Sequence, residues 1–160
     1  KSKLSKNLLN KISSNLNLVM QNLSRQIVSD GEGISKLIDV EVFHARNNNQ
    51  AKKVAFSVAE SLLVKTAIAG EDANWGRIVM AIGKADEKID QNKIIIKFNN
   101  LIVSKNGKKY PRMNINALNK YMKNKNIIIK VDLGIGKHYK KVSSSDLTDT
   151  YLRINSDYRT

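Results

Sequence analysis

Ser29-Asp30-Gly31-Glu32-Gly33-Ile34-Ser35-Lys36-Leu37-Ile38-Asp39-Val40-Glu41-Val42-Phe43 is the stretch where the periodicity of this chain changes. Before it, apolar residues recur at Leu4, Leu8, Ile12, Leu16, Val19, Leu23 and Ile27. That is the spacing of one helix face over about six turns, with Lys, Ser and Asn opposite. After it, Ile38, Val40 and Val42 alternate with Asp39, Glu41 and Phe43, which predicts a half-buried strand. The two glycines between them supply the backbone freedom that a helix stop needs. A long helix running into a strand through a tight turn sets the fold class as mixed.

Working outward, Asn47-Asn48-Asn49 reads as a loop ending in a helix cap. The helix after it is expected to bury Ala51, Val54, Ala55, Val58 and Leu62. Val64 to Ala69 is a short apolar stretch, treated as extended, that leads into the polar turn Gly70-Glu71-Asp72-Ala73-Asn74-Trp75-Gly76-Arg77 and a helix to about Ile82. Lys93–Phe98 and Leu101–Ser104 flank Asn99-Asn100 as a hairpin would, and Asn106-Gly107 marks another turn. Pro111 precedes a short helix over 114–122. Asn126–Leu133 is a strong strand ending at Gly134-Ile135-Gly136, with Lys137–Ser143 as its expected partner and a last helix over 146–154. The pattern predicts an α+β fold in residues 1–160, helices layered on a mostly antiparallel or mixed sheet, forming one domain or part of one.

Composition narrows the function classes. The 160 residues include no cysteine, which removes thiol catalysis, disulfides and Cys-ligated zinc. There are two histidines, too few for a His-rich metal site, and no run of 18 apolar residues that would cross a membrane. The formal net charge of +14 suggests phosphate binding, but the 28 basic residues divide into 22 Lys and 6 Arg, and base reading favours Arg. Lys, Asn and Ile together make up 59 residues, a bias spread over every segment. A solvated lysine surface is the better reading, and no nucleic-acid partner and no membrane partner are expected. The start Lys1-Ser2-Lys3 carries no Met and no apolar leader segment, so the chain reads as a processed product or a truncation.

Several residues have chemical potential. Asp30 and Glu32 place two carboxylates beyond a helix C-terminus, where the dipole does not favour negative charge. Either a cation compensates there, a lysine, a metal or a cationic substrate, or the turn is simply solvated. Gly134-Ile135-Gly136 lacks the third glycine and the following helix of a dinucleotide loop, and reads as a strand exit. His44, in or beside a strand, and His138, in a lysine-rich loop, have no second ligand at useful spacing. Thr66 beside Lys65 is a poor nucleophile–base pair, since neighbours on a strand point apart. Trp75 sits in a turn where Asp72, Asn74 and Arg77 either wall a site or satisfy backbone groups.

Five segments occur in a recognisable order. They are Ser29 to Lys36, Leu63-Val64-Lys65-Thr66-Ala67, Gly70 to Arg77, Val131-Asp132-Leu133-Gly134, and Arg153-Ile154-Asn155-Ser156-Asp157-Tyr158. Together they resemble the C-terminal part of the β chain of the ornithine acetyltransferases, also called glutamate N-acetyltransferases, over roughly residues 20 to 160. Ala73 stands where that family usually has Pro, Ile34-Ser35 where it has Ala-Thr, and Arg159 where a small polar residue is common.

The resemblance implies a cytoplasmic enzyme of arginine biosynthesis, made as a precursor that cleaves itself before a threonine into α and β chains. The new N-terminal Thr takes acetyl from N-acetylornithine and passes it to glutamate, its free amine serving as base. Oxyanion donors come from the α chain. Lys1 is not Thr and nothing in the opening helix matches a cleavage motif, so no catalytic residue is expected in this chain, and alone it is expected to be inactive. What the resemblance carries over is substrate binding, by Glu32, Asn155 and Thr160; Asp30, Asp72, Asn74 and Arg77 are assigned to structure or to support around the site rather than to catalysis. No cofactor is implied; the family has members that take acetyl from N-acetylornithine alone and members that also use acetyl-CoA, and the sequence does not choose between them. The implied partners are N-acetylornithine, glutamate, the α chain and further α and β copies. A non-catalytic binding or regulatory module and a basic RNA-associated protein are the alternatives.

Overall fold

The structure, a computed structural model, describes residues 5–157. Leu4 and the C-terminal Tyr158, Arg159 and Thr160, including one expected substrate contact, lie outside the described residues. The helices are α1 (Lys6–Ser29), α2 (Asn48–Ala59), α3 (Leu62–Ala69), α4 (Trp75–Gly83), α5 (Ile115–Met122) and α6 (Asp149–Ser156). The strands are β1 (Leu37–Ala45), β2 (Ile95–Phe98), β3 (Leu101–Lys105), β4 (Lys108–Lys109), β5 (Asn126–Asp132) and β6 (His138–Ser145). They form one mixed sheet in the order β4-β3-β2-β5-β1-β6, in which β1 and β5 run parallel and every other pair is antiparallel. The α+β expectation is met.

Register explains the core. Ile38, Val40 and Val42 lie beside Ile127, Ile129 and Val131, and Ile96 and Phe98 continue the row on β2. All eight are buried in one cluster with Ala51, Val54, Ala55 and Val58 of α2 and Ile78, Ala81 and Ile82 of α4. The alternation in β1 points its other residues, Asp39 and Glu41, to the opposite face with Ser143 and Lys141 of β6. There Asp39 is only 5 % exposed, and its carboxylate accepts from Arg25 (2.6 and 2.7 Å), Ser143 (2.6 Å) and Lys141 (3.0 Å). Burial alone would raise its pKa, but the hydrogen bonds from Ser143, Lys141 and Arg25 outweigh it and hold the carboxyl below its usual value of 3.8.

Four local readings are corrected. The cap before α2 is Asn47, not the end of the Asn run, and Asn48 and Asn49 already belong to the helix. Helix α2 ends at Ala59, so Leu62 is not on its buried face but is the exposed first residue of α3. Val64–Ala69 is helical, because the Ser61 hydroxyl accepts from Val64 N–H and starts a new helix within the β-branched run. Strand β6 begins at His138, which is therefore not in a loop, and it pairs with β1 rather than with β5. Strand β1, almost a hundred residues earlier, is inserted between them, and no local pattern encodes such a pairing.

Candidate functional site

The turn after α1 is held against α6. Asp30 caps α1, its N–H donating to the Gln26 carbonyl at 3.0 Å. Gly33 has φ +73°, and a Cβ there would lie 2.7 Å from the Tyr151 amide nitrogen, so only glycine lets the turn meet the first residues of α6. The Thr148 hydroxyl donates to the Gly33 carbonyl and accepts from Tyr151 N–H at 3.0 Å, capping α6 with the same oxygen. Asp146, 1 % exposed, accepts from Ser35 N–H at 2.9 Å and from the Ser35 hydroxyl, while its own N–H donates to the Lys36 carbonyl at 3.0 Å.

Lys36 extends the same clamp. Its buried ammonium donates to Met122 O (2.8 Å), Asn124 O (3.3 Å) and Glu71 Oε1 (3.1 Å). The carbonyls belong to the end of α5, where a cation is favoured by the helix dipole. Glu71 lies in the turn between α3 and α4, so that turn is tied in as well. Leu147 N–H reaches the Lys65 carbonyl at 3.4 Å.

Three of the five recognisable segments are therefore tied together at the end of the sheet where β1 begins, and the fourth follows on α6, the helix clamped there. The fifth does not: Asp132 and Gly134 lie at the carboxyl end of β5, about 20 Å along a seven-residue strand. There the Asp132 carboxylate faces His44 Nδ1 at 2.9 Å, and His44 takes φ 53° at an irregularity in β1. A Cβ on Gly136 would sit 2.2 Å from the Ala45 carbonyl oxygen. The Gly-x-Gly is thus a strand exit packed on β1, followed by a strand.

Within the converging cluster the candidate groups differ. The Glu32 side chain is exposed and pairs with no cation among the described residues. Asn155 is exposed on α6, one of its amide hydrogens donating to Tyr151 O at 2.9 Å. Asp72 accepts from Asn74 Nδ2 (3.0 Å), and Asn74 Oδ1 accepts from Arg77 N–H (3.2 Å) to cap α4. The Arg77 guanidinium donates to Leu63 O (2.8 Å) and to Thr66 Oγ1 (3.1 Å), and that hydroxyl donates to Leu63 O. Thr66 is so engaged in joining α3 to α4, and Lys65, adjacent on a helix, does not face it. Sequence reasoning missed Lys36, Asp146 and Thr148, since their partners lie 35 to 115 residues away.

A groove of ≈ 370 Å³ runs beside the turn, between Val28 of α1, Gly31, Phe56 of α2 and Tyr151 of α6. Its walls are mainly apolar and include neither Glu32 nor Asn155. No group of three His, Asp or Glu that could hold a metal occurs among the described residues, and none of their helices is long and apolar enough to cross a membrane.

Comparison with known proteins agrees with this architecture. A structure of the arginine biosynthesis bifunctional protein ArgJ from Bacillus halodurans matches with a TM-score of 0.89 and 36% identity, over 99% of this chain and 75% of that one. The ArgJ bifunctional proteins of Brucella suis biovar 1 and Nitrobacter winogradskyi are 48% and 50% identical over 144 and 141 residues. Those alignments cover 90% and 88% of this chain but 35% and 34% of the relatives, so the chain spans about a third of their length. The ArgJ family model matches residues 2–160, and the chain belongs to the ArgJ family.

Proposed function

We propose that, within a longer ArgJ-type protein, this region forms the amino-acid-holding part of an acetyltransferase site. Acetyl passes there from N-acetylornithine to glutamate through an N-terminal Thr supplied by another part of the protein. The oxyanion donors come from a partner α chain, α and β chains assemble further, and the enzyme works in the cytoplasm. The observation that supports this reading most is Glu32. Its carboxylate stands exposed with no cation paired to it among the described residues, on a turn that is itself clamped to the helix carrying Asn155. A carboxylate so placed suits an ammonium, and an amide that donates and accepts suits the remainder of a zwitterion. Thr160 completes the set in this proposal.

The test is kinetic. A hydrogen bond to a charged group contributes about 1.5–3 kcal/mol, and every 1.4 kcal/mol is about tenfold. In the full-length enzyme, Glu32→Gln is expected to weaken substrate use roughly ten- to a hundredfold. The loss falls in KM if the contact is equally strong in ground and transition states. Asn155→Ala shows a smaller loss in the same direction. Unchanged KM and kcat in a normally folded Glu32→Gln enzyme would end the substrate-binding assignment.

A further inference from the structure

Glu32 and Asn155 are 123 residues apart in sequence, yet four hydrogen bonds and one close backbone contact join the segments that carry them. Asp146 takes both the N–H and the hydroxyl of Ser35, and its own N–H donates to Lys36 O. Thr148 grips Gly33 O while capping α6, and Gly33 abuts the Tyr151 backbone. A carboxylate as buried as that of Asp146 is retained only with its acceptor sites filled, and here the filling comes from the residues just after the turn. No other buried acid among the described residues bonds to this turn. We propose that Asp146 and Thr148 are positioning residues that fix the spacing between Glu32 and Asn155, and so set affinity for the amino-acid substrate without touching it.

This rests on the acetyltransferase reading, but it makes a claim that can fail separately. Loosening the latch lets the two substrate-holding groups drift, and a drift of about 1 Å is enough to weaken a preorganised contact severely. In the full-length enzyme, Asp146→Ala is expected to raise KM for N-acetylornithine and for glutamate at least tenfold while kcat changes less than threefold. Asp146→Asn, which keeps one acceptor oxygen, falls between the wild type and Asp146→Ala. Thr148→Val, which keeps the shape and loses the hydroxyl, shifts KM in the same direction and serves if Asp146→Ala fails to fold.

Amide hydrogen exchange gives a second readout that needs no activity. In Asp146→Asn, exchange should quicken about tenfold or more in 33–35 and 151–155 together, with the strand amides of Val40 and Ile129 unchanged. Coupled loosening together with the KM shift supports the latch. Wild-type KM in the folded variants, or loosening of only one of the two segments, overturns it. A wild-type enzyme without acetyl transfer removes the acetyltransferase reading, and coupled exchange then still decides whether the latch exists.

Discussion

Helix α2 buries Gln50, Ala51, Val54, Ala55, Val58 and Ala59, whereas α1, twice as long and patterned just as regularly, buries none of its residues. Leu8, Leu9, Ile12, Leu16, Val19, Leu23 and Ile27 all remain exposed, Ile27 by 75 %. The two helices differ in what lies against them. Residues of α2 pack on β1, β6 and α4, while α1 meets the body near its C-terminal end, through Val28 beside β6 and through the ion pair of Arg25 with Asp39. Amphipathic spacing shows that a face requires cover, and only tertiary structure shows whether the chain itself provides it.

The largest test of this contrast places the same charge on each face. Val58→Asp puts an unpaired carboxylate into a fully buried position, which costs about 3–5 kcal/mol or more and should leave little folded protein at neutral pH. Leu16→Asp should change stability by no more than about 0.5 kcal/mol. The exposed apolar face of α1 should bind hydrophobic dyes and promote self-association of the isolated chain, and Leu16→Asp should reduce both. Equal losses in urea unfolding at both sites would mean that α1 has a packing partner within these residues.

The same distinction explains what could be read in advance. The hairpin β2–β3, the strand β5, the Trp75 helix and the Pro111-preceded helix α5 declare themselves by period and turn residues within a few positions. The placement of β1 between β5 and β6 does not, because Leu37 pairs with Asn126 and with Ser145 through long-range hydrogen bonds. Val64–Ala69 is helical against the extended reading, because a short apolar run does not by itself distinguish strand from helix and the Ser61 cap decides it. In the candidate site, Glu32 was visible as a carboxylate where the helix dipole does not favour one. Asp146, by contrast, looked like the start of a helix, when it is the buried acceptor that holds Ser35.

A middle-sized effect concerns the anchor that joins α1 to the sheet. Asp39→Asn leaves Arg25 without a charged acceptor and Lys141 with only the longer pair to Glu41 at 3.9 Å, and should cost about 1.5–3 kcal/mol at pH 7. Arg25→Ala should cost less, since Ser143 and Lys141 still serve the carboxylate, and should mainly release α1. The pH dependence has a definite sign. Asp39 has a folded pKa below 3.8, so its contribution is complete above the unfolded value and is lost as pH falls through the folded one. Wild-type stability should therefore decline more steeply than that of Asp39→Asn as pH drops from about 5 downward. Parallel curves would show that the ion cluster does not stabilise the fold.

The smallest effect compares two helix caps of the same kind. Asn47 Oδ1 accepts from Gln50 N–H at 2.8 Å, and Ser5 Oγ accepts from Leu8 N–H at 3.3 Å. Gln50 is itself buried and returns a bond, its Oε1 accepting from Arg46 N–H at 2.9 Å while its Nε2 donates to Lys88 O at 3.1 Å. The start of α2 is thus wired into the core. Asn47→Ala should lower global stability by about 1 kcal/mol, a fall in Tm of about 2–4 °C for a chain of this size. Ser5→Ala removes a bond of the same type, but α1 can fray at that end without opening anything buried. Its global Tm should not move, and the loss should appear only as faster amide exchange in the first turn of α1. A Tm shift in Ser5→Ala equal to that of Asn47→Ala would show that α1 unfolds together with the core, and its apolar face would then need a partner within the domain.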